Sequence, residues 1–155
     1  MLGAMLLRSV CAITQPAQKP PVTTADTSKV KPVLIPSFGA YTNGSKAFAA
    51  DLKRLLTVNP LLKLKDGKGN VYNVVSFEIL WKKKETSDDI RTGKQKTIFT
   101  YVGGDIKGSK LTESWRQEIN TTLKKGEEIT FGTILYFDPK RKANVRAPSL
   151  VITIL

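Results

Sequence analysis

The sequence has 155 residues, with 25 lysines and arginines against 13 aspartates and glutamates, no histidine and one cysteine. That length gives one domain a core of its own and leaves too little for two. The lack of histidine excludes Ser-His-Asp catalysis and imidazole metal sites, and the single cysteine, Cys11, excludes an internal disulfide or a thiolate cluster. A net charge of +12 favours an anionic partner: nucleic acid, a phospholipid face, an anionic glycan or an acidic protein.

Met1 to Thr14 is apolar apart from Arg8. Arg8 interrupts the run and no basic residue precedes it, so an export signal and a plain tail both stay open. The run is too short to span a bilayer. Gln15 to Lys31 carries Pro16, Pro20, Pro21, four Thr/Ser and three Lys, which reads as a flexible linker. The chain therefore divides into an N-terminal segment over 1–31 and a single β-rich domain over 32–155.

Val33-Leu34-Ile35, closed by Pro36, reads as an edge strand. Phe38 to Gly44 is turn-rich, and Ser45 is placed to cap a helix from Lys46 to about Leu56, with Phe48, Leu52 and Leu55 facing the core. Leu61 to Lys65 alternates as a strand, and Asp66-Gly67-Lys68-Gly69-Asn70 turns the chain into a hairpin. Val71 to Trp81 then alternates, with Val75, Phe77, Ile79 and Trp81 on one face and Ser76, Glu78 and Lys82 on the other. Lys83 to Gln95 reads as a polar connection to a strand over Thr97 to Val102, after which Gly103-Gly104 and Gly108 read as a loop.

A second helix is marked by Thr112 as N-cap, Glu113 at the positive end of the dipole, and Gly126 as the stop. Leu111, Trp115, Ile119 and Leu123 form its apolar stripe. Glu128 to Phe137 reads as a strand with Ile129, Phe131, Leu135 and Phe137 inward. Asp138 to Val145 is a basic turn, and Leu150, Ile152 and Ile154 alternate into a last strand paired deep in the sheet. The class is mainly β or α+β: a small β-sandwich-like sheet domain with two short helices.

Little chemistry remains. Asp88-Asp89 and Glu127-Glu128 read as solvated pairs rather than catalytic ones. Gly103 to Gly108 lacks phosphate-loop spacing. Asn43-Gly44-Ser45 and Asn120-Thr121-Thr122 match the glycosylation pattern by chance. No catalytic, cofactor-binding or metal-binding residue and no cofactor is expected. Two basic clusters could meet an anionic partner: Lys82, Lys83 and Lys84 after Trp81, and Lys140, Arg141 and Lys142 with Arg146. Single-strand binders set such lysines beside aromatic stacking platforms, here Trp81, Phe99 or Tyr101. The competing reading buries the aromatics and uses the lysines to keep strand ends soluble.

The order of weak motifs from Phe38 onward carries a family resemblance. A glycine-rich loop leads into a helix (Gly39 to Leu56), followed by Val-Val-Ser-Phe-Glu-Ile (Val74 to Ile79). The Leu-Thr helix then ends in Leu-Lys-Lys-Gly-Glu-Glu-Ile-Thr-Phe (Leu111 to Phe131). Arg146-Ala147-Pro148-Ser149-Leu150-Val151-Ile152 closes the series. This resembles the C-terminal domain of GldM/PorM, the periplasmic shaft of the Bacteroidetes gliding and type IX secretion motor. The shaft protein has a transmembrane helix and preceding domains, so the resemblance implies a stand-alone copy of its end domain. It also implies protein partners in the periplasm or cell envelope, a homodimer, and no catalytic residues.

The expectation is a non-catalytic envelope domain for protein–protein interaction. The alternative is a basic nucleic-acid-binding β-domain, for which a cytoplasmic location is natural. A carboxylate enzyme is the third reading, and nothing in the sequence assembles one.

Overall fold

A computed structural model describes residues 32–155. The apolar segment and linker over 1–31 lie outside the described residues. Ten strands and two helices follow in order: β1 (Leu34–Phe38), β2 (Tyr41–Thr42), β3 (Ser45–Ala47), α1 (Ala49–Thr57), β4 (Leu62–Asp66), β5 (Val71–Tyr72), β6 (Val74–Asp88), β7 (Gln95–Lys107), α2 (Glu113–Thr122), β8 (Glu128–Asp138), β9 (Ala143–Arg146) and β10 (Leu150–Ile154). They form two sheets. The smaller has the order β2-β1-β4-β5, the larger β3-β10-β8-β6-β7, and β9 pairs with the far end of β8. The fold is mainly β with two short helices, as the sequence reading expects.

The sheets face each other through aromatic side chains. Phe38 of β1 stacks on Phe131 of β8 at 4.8 Å between centroids, and Tyr72 of β5 meets Tyr136 of β8 edge-on at 5.2 Å. Phe77, Ile79 and Trp81 from β6, Ile129 and Phe131 from β8, and Leu150, Ile152 and Ile154 from β10 fill the interior. Each fully buried aliphatic or aromatic side chain contributes roughly 1.5–3 kcal/mol. β10 lies between β3 and β8, parallel to the first and antiparallel to the second, so the last strand is a central one.

Two bulges reset the expected alternation. β6 shifts register against β8 between Val74 and Ser76 and between Ser76 and Glu78. Val74 is therefore buried and Val75 exposed, the reverse of the sequence expectation. On β8, Thr133 takes φ +44 within this irregular stretch. Beyond it Ile134 and Tyr136 point inward, while Leu135 is half-buried and Phe137 exposed. One inserted residue exchanges the faces of everything that follows it.

Other local expectations also change. Ser45 belongs to β3, not to a cap, and its Oγ accepts from the Thr42 amide at 3.0 Å. Helix α1 begins after Phe48, which caps nothing through its side chain and stays exposed, and Leu52 and Leu56 carry the buried stripe. Strand β1 runs through Pro36 and pairs along its whole length with β4. β2 reaches only Ser37 and Phe38, so Pro36 faces an unpaired flank, where a missing N–H costs nothing.

The second helix matches its sequence signature. Thr112 caps it by accepting from the Trp115 amide, Leu111, Ile119 and Leu123 are buried, and Gly126 turns the chain at φ +86. Gly103-Gly104 is not a loop: both residues lie within β7, paired with Leu80 and Ile79. A Cβ on Gly104 would stand 3.3 Å from Trp115 Cζ2, and one on Gly103 3.0 Å from the Ile79 carbonyl oxygen and 3.3 Å from Leu80 Cδ1. The two glycines thus admit Trp115 on the inner face and Leu80 on the outer.

Candidate functional site

Strands β6 and β7 pair without a break from Ser76↔Lys107 to Asp88↔Gln95. Strand β8 accompanies β6 only as far as Lys82↔Glu128. Lys83 to Asp88 and the matching half of β7 therefore run on as a two-stranded arm. At about 3.3 Å per residue these six residues carry the hairpin roughly 20 Å past the last β6–β8 pair. The segment expected to be a polar connection, Lys83 to Gln95, is thus mostly strand and tight turn. Its tip is set by Asp89, whose carboxylate accepts from the Arg91 amide (2.9 Å) and the Thr92 hydroxyl (2.9 Å). The Thr92 hydroxyl, then the Arg91 amide, hold the Asp89 carboxyl below its ordinary range. This turn leaves Ile90 fully exposed.

The root of the arm is clamped by Glu127, which is 1% exposed. Its carboxylate accepts from the Trp81 indole Nε1 (3.0 Å), the Lys84 amide (2.9 Å) and the Lys124 amide (3.0 Å). The backbone of the same turn pairs with Ile154: Gly126 donates to its carbonyl and its amide donates to the Glu127 carbonyl. One side chain thus joins β6, the end of α2 and the start of β8, beside the end of β10. The expected solvated pair Glu127-Glu128 is instead a buried clasp next to a half-buried strand residue.

The basic clusters are not one surface. Alternation sends Lys82 and Lys84 to the outer face of the large sheet and Lys83 to the inner face. Lys82 Nζ lies 4.7 Å over the Phe99 ring. Lys83 Nζ lies 4.4 Å over Trp81 and pairs with Glu118 at 3.1 Å. Lys140, Arg141 and Lys142 sit in the turn after β8, at the opposite end of that strand from Glu128. Arg141 pairs with Asp138 (3.4 Å), and Lys142 adopts φ +51. Arg146, across from Leu135 on β9, donates to the Thr133 hydroxyl at 3.3 Å, which in turn bonds Glu78 at 3.1 Å. Only Lys82 and Lys84 stand beside exposed aromatics, Phe99 and Tyr101. Trp81 is buried, so it is no stacking platform.

The free edge of β7 is the feature the sequence did not single out. Among the described residues β7 pairs with β6 alone. Its centre, Thr97-Ile98-Phe99-Thr100-Tyr101-Val102-Gly103-Gly104, carries no charge, proline or bulge, the devices that blunt an edge. Phe99 and Tyr101 are 46% and 63% exposed on the outer face. The signal was present as a β-branched and aromatic run. What hid it was its place in the sheet, which only the pairing order reveals.

Elsewhere, a shallow open hollow is lined by Tyr41, Asp51, Arg54, Leu55 and Val58. Its Asp51–Arg54 pair is exposed at 3.7 Å, and burial, with Asp51 nearby, raises the Tyr41 hydroxyl above its ordinary pKa. No group of three or more metal-ligating side chains gathers among the described residues, and none of their helices is long and apolar enough to cross a membrane. No protein-family model matches this sequence, and no curated protein matches it either.

Proposed function

We propose that this protein is a non-catalytic protein-docking domain and that the β6–β7 arm is its docking element. The observation that carries this reading is the free edge of β7: a long strand with an uncharged centre, two exposed aromatics and a tip residue, Ile90, entirely in solvent. Such an edge is a template for strand addition, in which main-chain hydrogen bonds give affinity and alternate side chains give specificity. The arm is clamped at its root by Glu127, so it is presented in one geometry. On the resemblance to the GldM/PorM end domain, we assign the protein to the cell envelope and its partners to the gliding or type IX secretion machinery.

The test is site-specific photo-crosslinking in the native cell. A crosslinker at Ile90 or Tyr101 is expected to give discrete protein adducts, and one at Lys53 on α1 none. Adducts from Lys53 but not from the arm overturn the reading. Fractionation tests the compartment: a cytosolic pool removes the envelope assignment and leaves the docking role to be judged by the adducts.

A second reading has its own observation. Lys82 and Lys84 alternate with Phe99 and Tyr101 on one open face, the arrangement of a single-strand platform. It requires oligonucleotide binding that falls steeply with salt. The split of the other basic residues between both ends of β8, with Lys83 and Arg141 paired to acids, weighs against it.

A further inference from the structure

We propose that the β7 edge is occupied by a second copy of this chain, paired antiparallel about a two-fold axis through Thr100. The inference rests on the docking reading above and names the partner. Strand β7 reads nearly the same in both directions around Thr100: Ile98-Phe99-Thr100-Tyr101-Val102. A two-fold axis perpendicular to the sheet uses the same edge on both molecules and closes after two. Centred on Thr100, it sets Phe99 opposite Tyr101 of the second copy, twice, on the outer face. It sets Ile98 opposite Val102, twice, on the inner face.

Side chains opposed across an antiparallel pair must share a face, so the register can shift only in steps that keep parity. Centring on Tyr101 sets Phe99 against Gly103, and centring on Phe99 sets Val102 against Lys96. Only the Thr100 register faces each of the four large apolar side chains at the centre, Ile98, Phe99, Tyr101 and Val102, with another. It also sets no like charges together: Lys96 meets Gly104 and Gln95 meets Asp105. Aromatic pairs and β-branched pairs are the favourable cross-strand combinations. The result is a continuous sheet in which an edge that invites uncontrolled stacking is consumed by its own symmetry mate.

The register yields a charge-exchange test. In F99K/Y101K each new lysine faces a lysine of the other molecule. In F99K/Y101E each lysine faces a glutamate, and both variants lose the same two aromatics. Sedimentation of the full chain is expected to give a wild-type dimer. F99K/Y101K should dissociate on the order of 10-fold more readily than wild type. F99K/Y101E should associate on the order of 10-fold more tightly than F99K/Y101K. Far-UV circular dichroism should show both variants folded.

A wild type that stays monomeric up to roughly 0.1 mM, weaker than transient complexes require, overturns the proposal. So does equal behaviour of the two variants. If the wild type is monomeric while the arm still crosslinks to other proteins in the cell, the docking reading stands and the second copy falls. If the monomer instead takes up single-stranded oligonucleotide on this face, the second copy also falls.

Discussion

Glu127 has no exposure to water worth counting, and three N–H groups converge on its two oxygens. Replacing it strands those donors in a dry site, where each unpaired group costs about 1–3 kcal/mol. Glu127→Ala should therefore destabilise by roughly 3 kcal/mol or more. Glu127→Gln, which must turn an amide NH₂ toward at least one donor, should cost roughly 1–3 kcal/mol. The urea midpoint measures both, and a loss in Glu127→Ala within error of zero would deny the clasp. Asp66 does a comparable job in the β4–β5 hairpin, accepting from the Asn70 side chain, the Lys68 and Asn70 amides and the Tyr72 hydroxyl. Led by the Asn70 side chain, these bonds hold its carboxyl below the ordinary 3.8. A carboxyl with a lowered folded pKa stabilises the fold above the unfolded value and loses that contribution as pH falls through the folded one. Wild type should lose stability on acidification from about pH 6 to about pH 3 more steeply than Asp66→Asn. Asp89, lowered in the same direction, keeps a smaller slope in that variant.

At the scale of elements, the tandem glycines of β7 are packing residues. Trp115 lies over Gly104 so closely that an added Cβ must push the indole aside. Gly104→Val should cost roughly 1–3 kcal/mol by overpacking, with a change in tryptophan fluorescence, whereas a change at exposed Gly93 in the arm's turn should leave the fluorescence alone. The fold was legible wherever one periodicity ran uninterrupted. Helix α2 announced itself through Thr112, the Leu111-to-Leu123 stripe and Gly126, and β10 through Leu150, Ile152 and Ile154. Legibility failed at the bulges: Gly132, a glycine inside the β8 pattern, was the one local mark beside Thr133, and the Val74–Ser76 irregularity arises from fitting two strands together. It failed again at Ser45, where pairing with Ile152 outweighs a good capping residue. The candidate site was less legible still: two lysine clusters were visible, but an edge exists only once strand order is known.

For the whole molecule, body and arm make separable contributions. The interior is built from residues of both sheets and both helices, while Glu85 to Thr97 is exposed throughout. Replacing Glu85 to Thr97 with a short turn should therefore shift the free energy of unfolding by less than about 1 kcal/mol. The same variant removes the Ile90 crosslinking position, and it should weaken self-association by taking away Gln95 to Thr97, which face Gly103 to Asp105 of the second copy, while the Ile98-to-Val102 centre remains. A large loss of stability would mean that the arm is structural after all.

The position of β10 carries a consequence for biosynthesis. In the large sheet β3 pairs only with β10, so it is made long before its neighbour, whereas β8 already has β6 beside it and waits for β10 on one flank alone. Ile154 then bonds back to Glu127, and Leu155 to Ala47 across most of the chain. Closure of the large sheet onto β3 is consequently a late step, slow because that pairing is remote in sequence. Until it happens, the nascent protein offers sticky ribbons that a chaperone would do well to shield.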